Sequence, residues 1–288
     1  MVKNMRQNDE HILENEYNKS LGIAKNHYEN FPVVSMFLPK KLRKHVATIY
    51  RFARTADDFA DEGDISASDR LKLLADYEEK FSKCMNNEFS DLFFETLKNT
   101  IDTFNLSSEN FTKLLSAFRQ DVSNSRFENF DEIINYCSRS ADPVGRIMLE
   151  LSDNRNSDAI YYSDKICSAL QLTNFYQDIT IDIKKNRIYI PLEELISFGL
   201  SENDFKMNSN QAKIQELIKF QVERAFEMFA EGRQILPMLK GLFRLQISAI
   251  ISGGETILNS IRNIDYESFR SRPKLTKVDY IRILIKVI

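Results

Sequence analysis

The chain is poor in residues that break a backbone: eight Gly and six Pro among 288 residues, about 5% where ordinary usage is roughly 12%. That scarcity argues against many short strands and turns and in favour of long helices. The three cysteines, Cys84, Cys137 and Cys167, are odd in number and lack metal-ligand spacing. A disulfide framework and a thiolate metal centre are therefore excluded, and the three read as buried thiols of a reducing cytosol. His11, His27 and His45 are too scattered for an imidazole metal site. No run of 18 uncharged apolar residues occurs, since even Ile235–Gly254 contains Lys240 and Arg244, so no spanning helix is expected. The polar start MVKNMRQNDEHILENEY predicts no signal peptide and a cytoplasmic location. A net charge of −3 lacks the basic excess that a nucleic-acid partner would require.

What is present is core-forming volume. Hydrophobic residues make up 43% and charged residues 28%, and 21 Phe and 11 Tyr compensate for the absence of Trp, enough for a sizeable core or an apolar pocket. Helical periodicity dominates. Ser66-Ala-Ser-Asp69 reads as a helix start, followed by Leu71, Leu74, Tyr77 and Phe81 on one face. Ile214, Leu217, Ile218, Val222, Ala225, Phe226 and Phe229 repeat at i, i+3, i+4. Further helices are expected near 12–26, 40–62, 89–103, 109–123, 131–151, 157–184, 242–263 and 276–288, with Pro143 interrupting the 131–151 helix. Arg187–Pro191 reads as an extended turn, and 201–211 as a loop or short helix. With no repeat or linker, the economical organisation is one all-α domain over 1–288, its core about 20–275.

Two acidic segments stand out. In Arg54-Thr-Ala-Asp57-Asp58-Phe-Ala-Asp61, Asp57 and Asp61 sit one helical turn apart on one face, where like charges repel. Either the face is a solvated helix end or a cation offsets the charge. Mg²⁺ fits the second reading, because it takes one or two carboxylates and completes its shell with water and phosphate oxygens. An acidic C-terminal turn also opposes the helix dipole. In the second segment, Gln171, Asn174, Asp178 and Asp182 form one oxygen-bearing stripe, and no lysine interrupts it before Lys184. A solvated helix face usually mixes signs. Two such clusters facing each other could share several Mg²⁺ ions around a diphosphate leaving group, with aromatic faces steadying a carbocation.

The segments YRFARTADDFADEGD (50–64), YCSRSADPVGRIMLEL (136–151) and LQLTNFYQDITIDIKKNRIYIP (170–191) resemble, in order and kind, the squalene/phytoene synthase family of head-to-head prenyl synthases. The resemblance runs from about His27 to Arg272. It implies a single-domain isoprenoid synthase fold, helices around a central apolar cavity, Mg²⁺ as cofactor and a prenyl diphosphate substrate. By resemblance Asp57, Asp58, Asp61, Asn174, Asp178 and Asp182 hold metal, with Asp57, Asp61, Asp178, Asp182 and Tyr136 catalytic. The same resemblance implies that Arg54, Gln171, Asn174 and Arg187 bind substrate, and Tyr28 and Asn30 are expected to do so as well. Ala141 and Gly145 fall where the family packs small residues beside the chain-binding cavity.

Where many members carry a His-Ser-Lys-Ser-Phe-type segment, this chain reads His27-Tyr28-Glu29-Asn30-Phe31-Pro32-Val33. That departure, with FARTADDFADEGD, is similar to the bacterial hopanoid-pathway branch, the hydroxysqualene synthases. For that branch the resemblance implies presqualene diphosphate as substrate, with ionisation, rearrangement and water capture. The alternatives are head-to-head condensation of farnesyl or geranylgeranyl diphosphate to presqualene diphosphate, squalene or phytoene, and, more distantly, a non-catalytic helical assembly factor. From Arg262 to Ile288 seven Lys/Arg face three Asp/Glu. Arg282 and Lys286 share one face of the terminal segment and Ile281, Leu284, Ile285 and Ile288 another. This is either a packed terminal helix or a peripheral contact with the inner face of the cell membrane.

Overall fold

The computed structural model describes residues 2–27, 38–123 and 126–287, and the side chains of 11–25, 38–123 and 126–287. The Tyr28-Glu29-Asn30 segment lies outside them. Among the described residues the chain is all-α, without a strand. It divides into two compact units, residues 1–123 with 147–154, and residues 124–146 with 155–288.

The first unit holds α1 (Val2–His27), α2 (Lys40–Asp61), α3 (Ala67–Met85), α4 (Leu92–Phe104) and α5 (Ser108–Ser123). Its core gathers on Phe52 of α2, stacked on Tyr77 with ring centroids 5.2 Å apart and edge-on to Phe111 at 5.4 Å. Phe52, Ala56 and Ala60 are buried along one side of α2, so its remaining positions, Arg54, Asp57, Asp58 and Asp61, are left only partly covered. Helix α3 begins as its sequence requires: the Ser66 hydroxyl accepts from the Asp69 amide at 3.1 Å, an N-cap worth about 1 kcal/mol. Leu74, Tyr77, Phe81 and Cys84 form its buried row, whereas Leu71, expected on that face, is 37% exposed.

The second unit holds α6 (Phe130–Ser140), the start of α7 (Asp142–Leu151), α8 (Ser157–Gln177), α9 (Ile179–Asp182), α10 (Leu192–Ser197), α11 (Glu202–Met207), α12 (Gln211–Gly232), α13 (Gly241–Asn263) and α14 (Lys277–Val287). The expected 131–151 helix is broken at Ala141, and Pro143 falls in the first turn of α7, where its missing N–H costs nothing. Of the α12 periodic set, all are buried except Phe226, which is half-buried beneath the Arg262 guanidinium at 4.7 Å.

One expectation needs correction. The 157–184 helix is not continuous: α8 ends at Gln177, Asp178 is its C-cap (φ −101°, ψ 11°), and a single turn, α9, precedes a 3-10 turn over Ile183–Lys185. Ile179, Thr180, Ile181 and Ile183 are β-branched, and their stiff side chains disfavour continued helix. In α14 the buried residues are Ile283 and Val287, against α13, while Ile281 and Ile285 are 57% and 74% exposed. The apolar residues outnumber what one contact face can cover.

Candidate active site

The first acidic cluster closes α2. Arg54 Nη1 donates to Asp57 Oδ2 at 3.0 Å, and Nη2 lies 2.7 Å from Asp58 Oδ1 and 3.6 Å from Glu62. Three aspartates therefore occupy the last turns of a helix with no basic residue in its final turn, where the dipole is negative. Arg54 offsets part of that charge and leaves polar atoms wanting: its buried Nε has no acceptor, and Asp58 Oδ1 has ion-pair proximity without a hydrogen bond. An anion for the first and a cation for the second would complete the cluster.

The turn behind it is held by a residue the sequence did not single out. Arg70, on α3, donates to the carbonyls of Phe59 (3.3 Å), Glu62 (2.9 Å) and Gly63 (2.6 Å), carbonyls that the end of α2 cannot satisfy itself. Gly63 carries a φ of +80°, which makes that turn inexpensive only for glycine. The sole sequence signal was a basic residue shortly after a helix stop, too common to be diagnostic.

The second cluster lies where α8 gives way to α9. Asp178 and Asp182 remain one turn apart, because the amides of Asp178 and Asp182 donate to Asn174 O and Asp178 O, both at 2.9 Å. Gln171 is half-buried and Asn174 exposed on α8. The Asp178 carboxylate is engaged by Arg272, through Nε and, at 3.3 Å, Nη2. Asp182 and Arg187 line one pocket with Phe175, Ile179, Tyr189 and Phe205. Arg187 is placed by its own amide, which donates to Asp182 O at 2.8 Å, and by the left-handed Asn186 before it (φ +54°). Arg126 anchors that turn, donating to Asn186 O at 2.8 Å and pairing with Glu202; it too escaped the sequence reading.

Tyr136 is buried in an aromatic group, with ring centroids 5.5 Å from Phe127, 6.1 Å from Phe175 and 6.5 Å from Tyr189. Its electron-rich faces suit a cationic hydrocarbon. Ala141 is buried. Gly145 meets α8 so closely that an added Cβ would lie 2.4 Å from Ser163 Oγ and 2.6 Å from Cys167 Sγ, which accounts for glycine there. The cysteines are all free, and burial pushes the thiols of Cys84 and Cys167 up to about 11 and about 12, as inert core groups.

Among the described residues no three His, Cys, Asp or Glu side chains converge into a metal cage. Each cluster instead offers a cation a few hard carboxylate oxygens with arginine nearby. That donor set fits Mg²⁺, whose remaining positions go to water and phosphate oxygens.

Comparison with known proteins identifies the family. The squalene/phytoene synthase family model matches residues 24–279. Hydroxysqualene synthase of Sinorhizobium fredii is 29% identical over 240 residues, covering 82% of this chain and 80% of that protein. The crystal structure of squalene synthase HpnC from Alicyclobacillus acidocaldarius superposes with a TM-score of 0.83 at 34% identity, covering 88% of this chain and 95% of the other. A dehydrosqualene synthase structure shares the fold, with a TM-score of 0.86 at 23% identity over 96% of each chain. On its sequence match and its all-α isoprenoid synthase fold, the chain belongs to the squalene/phytoene synthase family of enzymes.

Proposed function

We propose that the chain, acting as a single domain over 1–288, converts presqualene diphosphate to hydroxysqualene in a Mg²⁺-dependent reaction. The observation that carries this reading is the pairing of carboxylates with arginine in both acidic motifs, in a chain similar to a hydroxysqualene synthase along most of its length. Asp57, Asp58 and Asp61 would hold Mg²⁺, as would Asn174, Asp178 and Asp182, and the metal would supply Lewis-acid stabilisation of a departing diphosphate. Arg54 and Arg187 bind the anionic oxygens, and the open Nε of Arg54 suits a charge-assisted hydrogen bond to one.

The carbon–oxygen bond breaks with its electron pair leaving on diphosphate. The cyclopropylcarbinyl cation rearranges to an allylic cation beside Tyr136 and its aromatic neighbours, which exclude bulk water. One water then adds and loses a proton, so the products are hydroxysqualene, diphosphate and H⁺, with no reductant. Tyr28 and Asn30 belong to the same proposal as substrate contacts that favour water capture; replacing Tyr28-Glu29-Asn30 by Ser-Lys-Ser should change the product ratio.

The test is mass spectrometry of the product from purified enzyme, presqualene diphosphate and Mg²⁺ without a nicotinamide. An alcohol one water heavier than the C30 cation less its proton supports the reading. Squalene formed only when NADPH is added moves the assignment to reductive squalene synthesis, and turnover of farnesyl diphosphate alone to a condensed product moves it to head-to-head condensation, which the family description also covers.

The same proposal places the enzyme at a membrane surface, where its C30 product partitions. No described helix is long and apolar enough to cross a membrane. Helix α14, however, exposes Val278, Ile281 and Ile285 beside Arg282 and Lys286, an interfacial pattern. Each basic residue adds up to about 1 kcal/mol near anionic lipid, so binding should be salt-sensitive. Sedimentation with anionic vesicles at low salt should be lost in Ile281→Ser/Ile285→Ser; retention in that variant removes α14 from membrane contact.

A further inference from the structure

Arg272 reaches Asp178 across 94 positions of sequence and meets both carboxylate oxygens, through Nε and Nη2. The backbone under it is fixed. Gln177, the residue before Asp178, donates its buried Nε2–H to Pro273 O at 2.7 Å. Ser268, Phe269 and Pro273 are buried on either side. The guanidinium is therefore not a long side chain that happened to find a partner; its main chain is pinned beside the carboxylate.

We propose that Arg272 is a built-in rival for the cation at Asp178, so that the second motif takes divalent metal together with diphosphate and resists metal alone. The inference rests on the metal–diphosphate reading above and names the regulation of that site. With both oxygens of Asp178 engaged, a cation must compete with the arginine for their negative charge and for part of their lone pairs. A cation arriving alone leaves that guanidinium unpaired next to a divalent charge, a repulsive arrangement at a distance of a few ångströms. A cation arriving with diphosphate brings new acceptors for the five N–H groups of arginine. Metal and anion then assist each other, and by linkage the assistance is reciprocal. Arg272 acts here as a positioning residue, through Asp178.

The experiment titrates Mn²⁺ into the full chain, reading the free-ion electron paramagnetic resonance signal, with and without one equivalent of methylenediphosphonate. Wild type, Arg272→Gln, Arg272→Lys and Asp178→Ala are compared, each checked by circular dichroism. In wild type the diphosphonate should tighten Mn²⁺ binding by about tenfold, within the usual range of coupling between sites. Arg272→Gln should bind Mn²⁺ alone about tenfold more tightly than wild type and gain little from the diphosphonate. Arg272→Lys, a point charge without the two-pronged fork, should fall between, and it carries the test if Arg272→Gln does not fold. Adding Asp178→Ala to Arg272→Gln should remove the gain. If Arg272→Gln binds Mn²⁺ alone no better than wild type, while Asp178→Ala weakens binding with diphosphonate present, the rivalry is overturned and the metal–diphosphate reading stands. If wild type binds no Mn²⁺ under either condition, that reading fails and this inference with it.

Discussion

Phe175 lies flat on Tyr189, ring centroids 3.9 Å apart and planes 2° from parallel. One ring comes from α8, just before the second acidic turn; the other comes from the extended segment two residues after Arg187. The stack therefore closes the loop that carries Asp178, Asp182 and Arg187, and both rings line the pocket with Asp182 and Arg187.

Breaking this stack should cost stability and activity together. Phe175→Leu and Tyr189→Leu are each expected to destabilise by roughly 1–3 kcal/mol, with a coupling of about 0.5–1.5 kcal/mol between them. Tyr189→Phe should keep most of the stability. A double-mutant cycle by urea unfolding measures the coupling; additive losses would mean that the rings merely fill space.

Replacing the motif carboxylates should act on chemistry and leave the fold. Asp57→Ala, Asp61→Ala, Asp178→Ala and Asp182→Ala are each expected to lower turnover on the order of 100-fold or more, since charge stabilisation by a bound metal is worth several kcal/mol. Their far-UV circular dichroism should match wild type, because all four side chains are only partly buried. Near-full activity in two of the four, or activity surviving EDTA, would refute the diphosphate-site assignment.

His45 should make the first unit acid-sensitive. Burial holds its pKa at about 4, below the ordinary value of roughly 6.5. The neutral ring is bonded to Thr100 Oγ1 at 3.0 Å and sits edge-on to Tyr17 and Phe104. Between about pH 6.5 and about 4 the unfolded chain binds a proton that the folded chain refuses, so stability declines as pH falls through that window. Above it the group contributes no slope. Denaturant midpoints from pH 7.5 to 4.5 should fall less steeply in His45→Asn than in wild type, although the variant starts lower; parallel curves would show that His45 does not titrate.

Gly145→Ala should destabilise by roughly 1–3 kcal/mol, the usual cost of overpacking. The new methyl group must push aside Ser163 Oγ or Cys167 Sγ at the contact of α7 with α8. Thermal unfolding reads the loss, and Gly145→Ala combined with Ser163→Ala should recover part of it. An unchanged melting temperature in the single variant would mean that the two helices can separate freely.

Much of this enzyme was legible from local order. Helices α2, α3 and α12 follow from apolar spacing, and the start of α3 from Ser66 and Asp69, because capping and periodicity act within one or two turns. The grouping of Arg54 with Asp57 and Asp58 was readable for the same reason: on one helix, separations of three and four place side chains together. Pro143 announced its own break. The end of α8 at Gln177 was harder, because an oxygen-bearing stripe at i, i+4, i+8 looks continuous while the β-branched run beneath it does not favour helix.

The remaining features were decided by tertiary structure. Arg272 on Asp178, Arg70 on the carbonyls closing α2 and Arg126 on Asn186 join positions 94, 7–11 and 60 residues apart, and an arginine in sequence carries no sign of which distant oxygen it will meet. Likewise, α14 has apolar residues on more than one side, and only packing against α13 chose Ile283 and Val287 for burial and left Ile281 and Ile285 in the open. The acidic residues, and so the class of chemistry, were set by sequence because charge and spacing are local properties. Which of those charges are already neutralised depends on chain segments that only folding brings together.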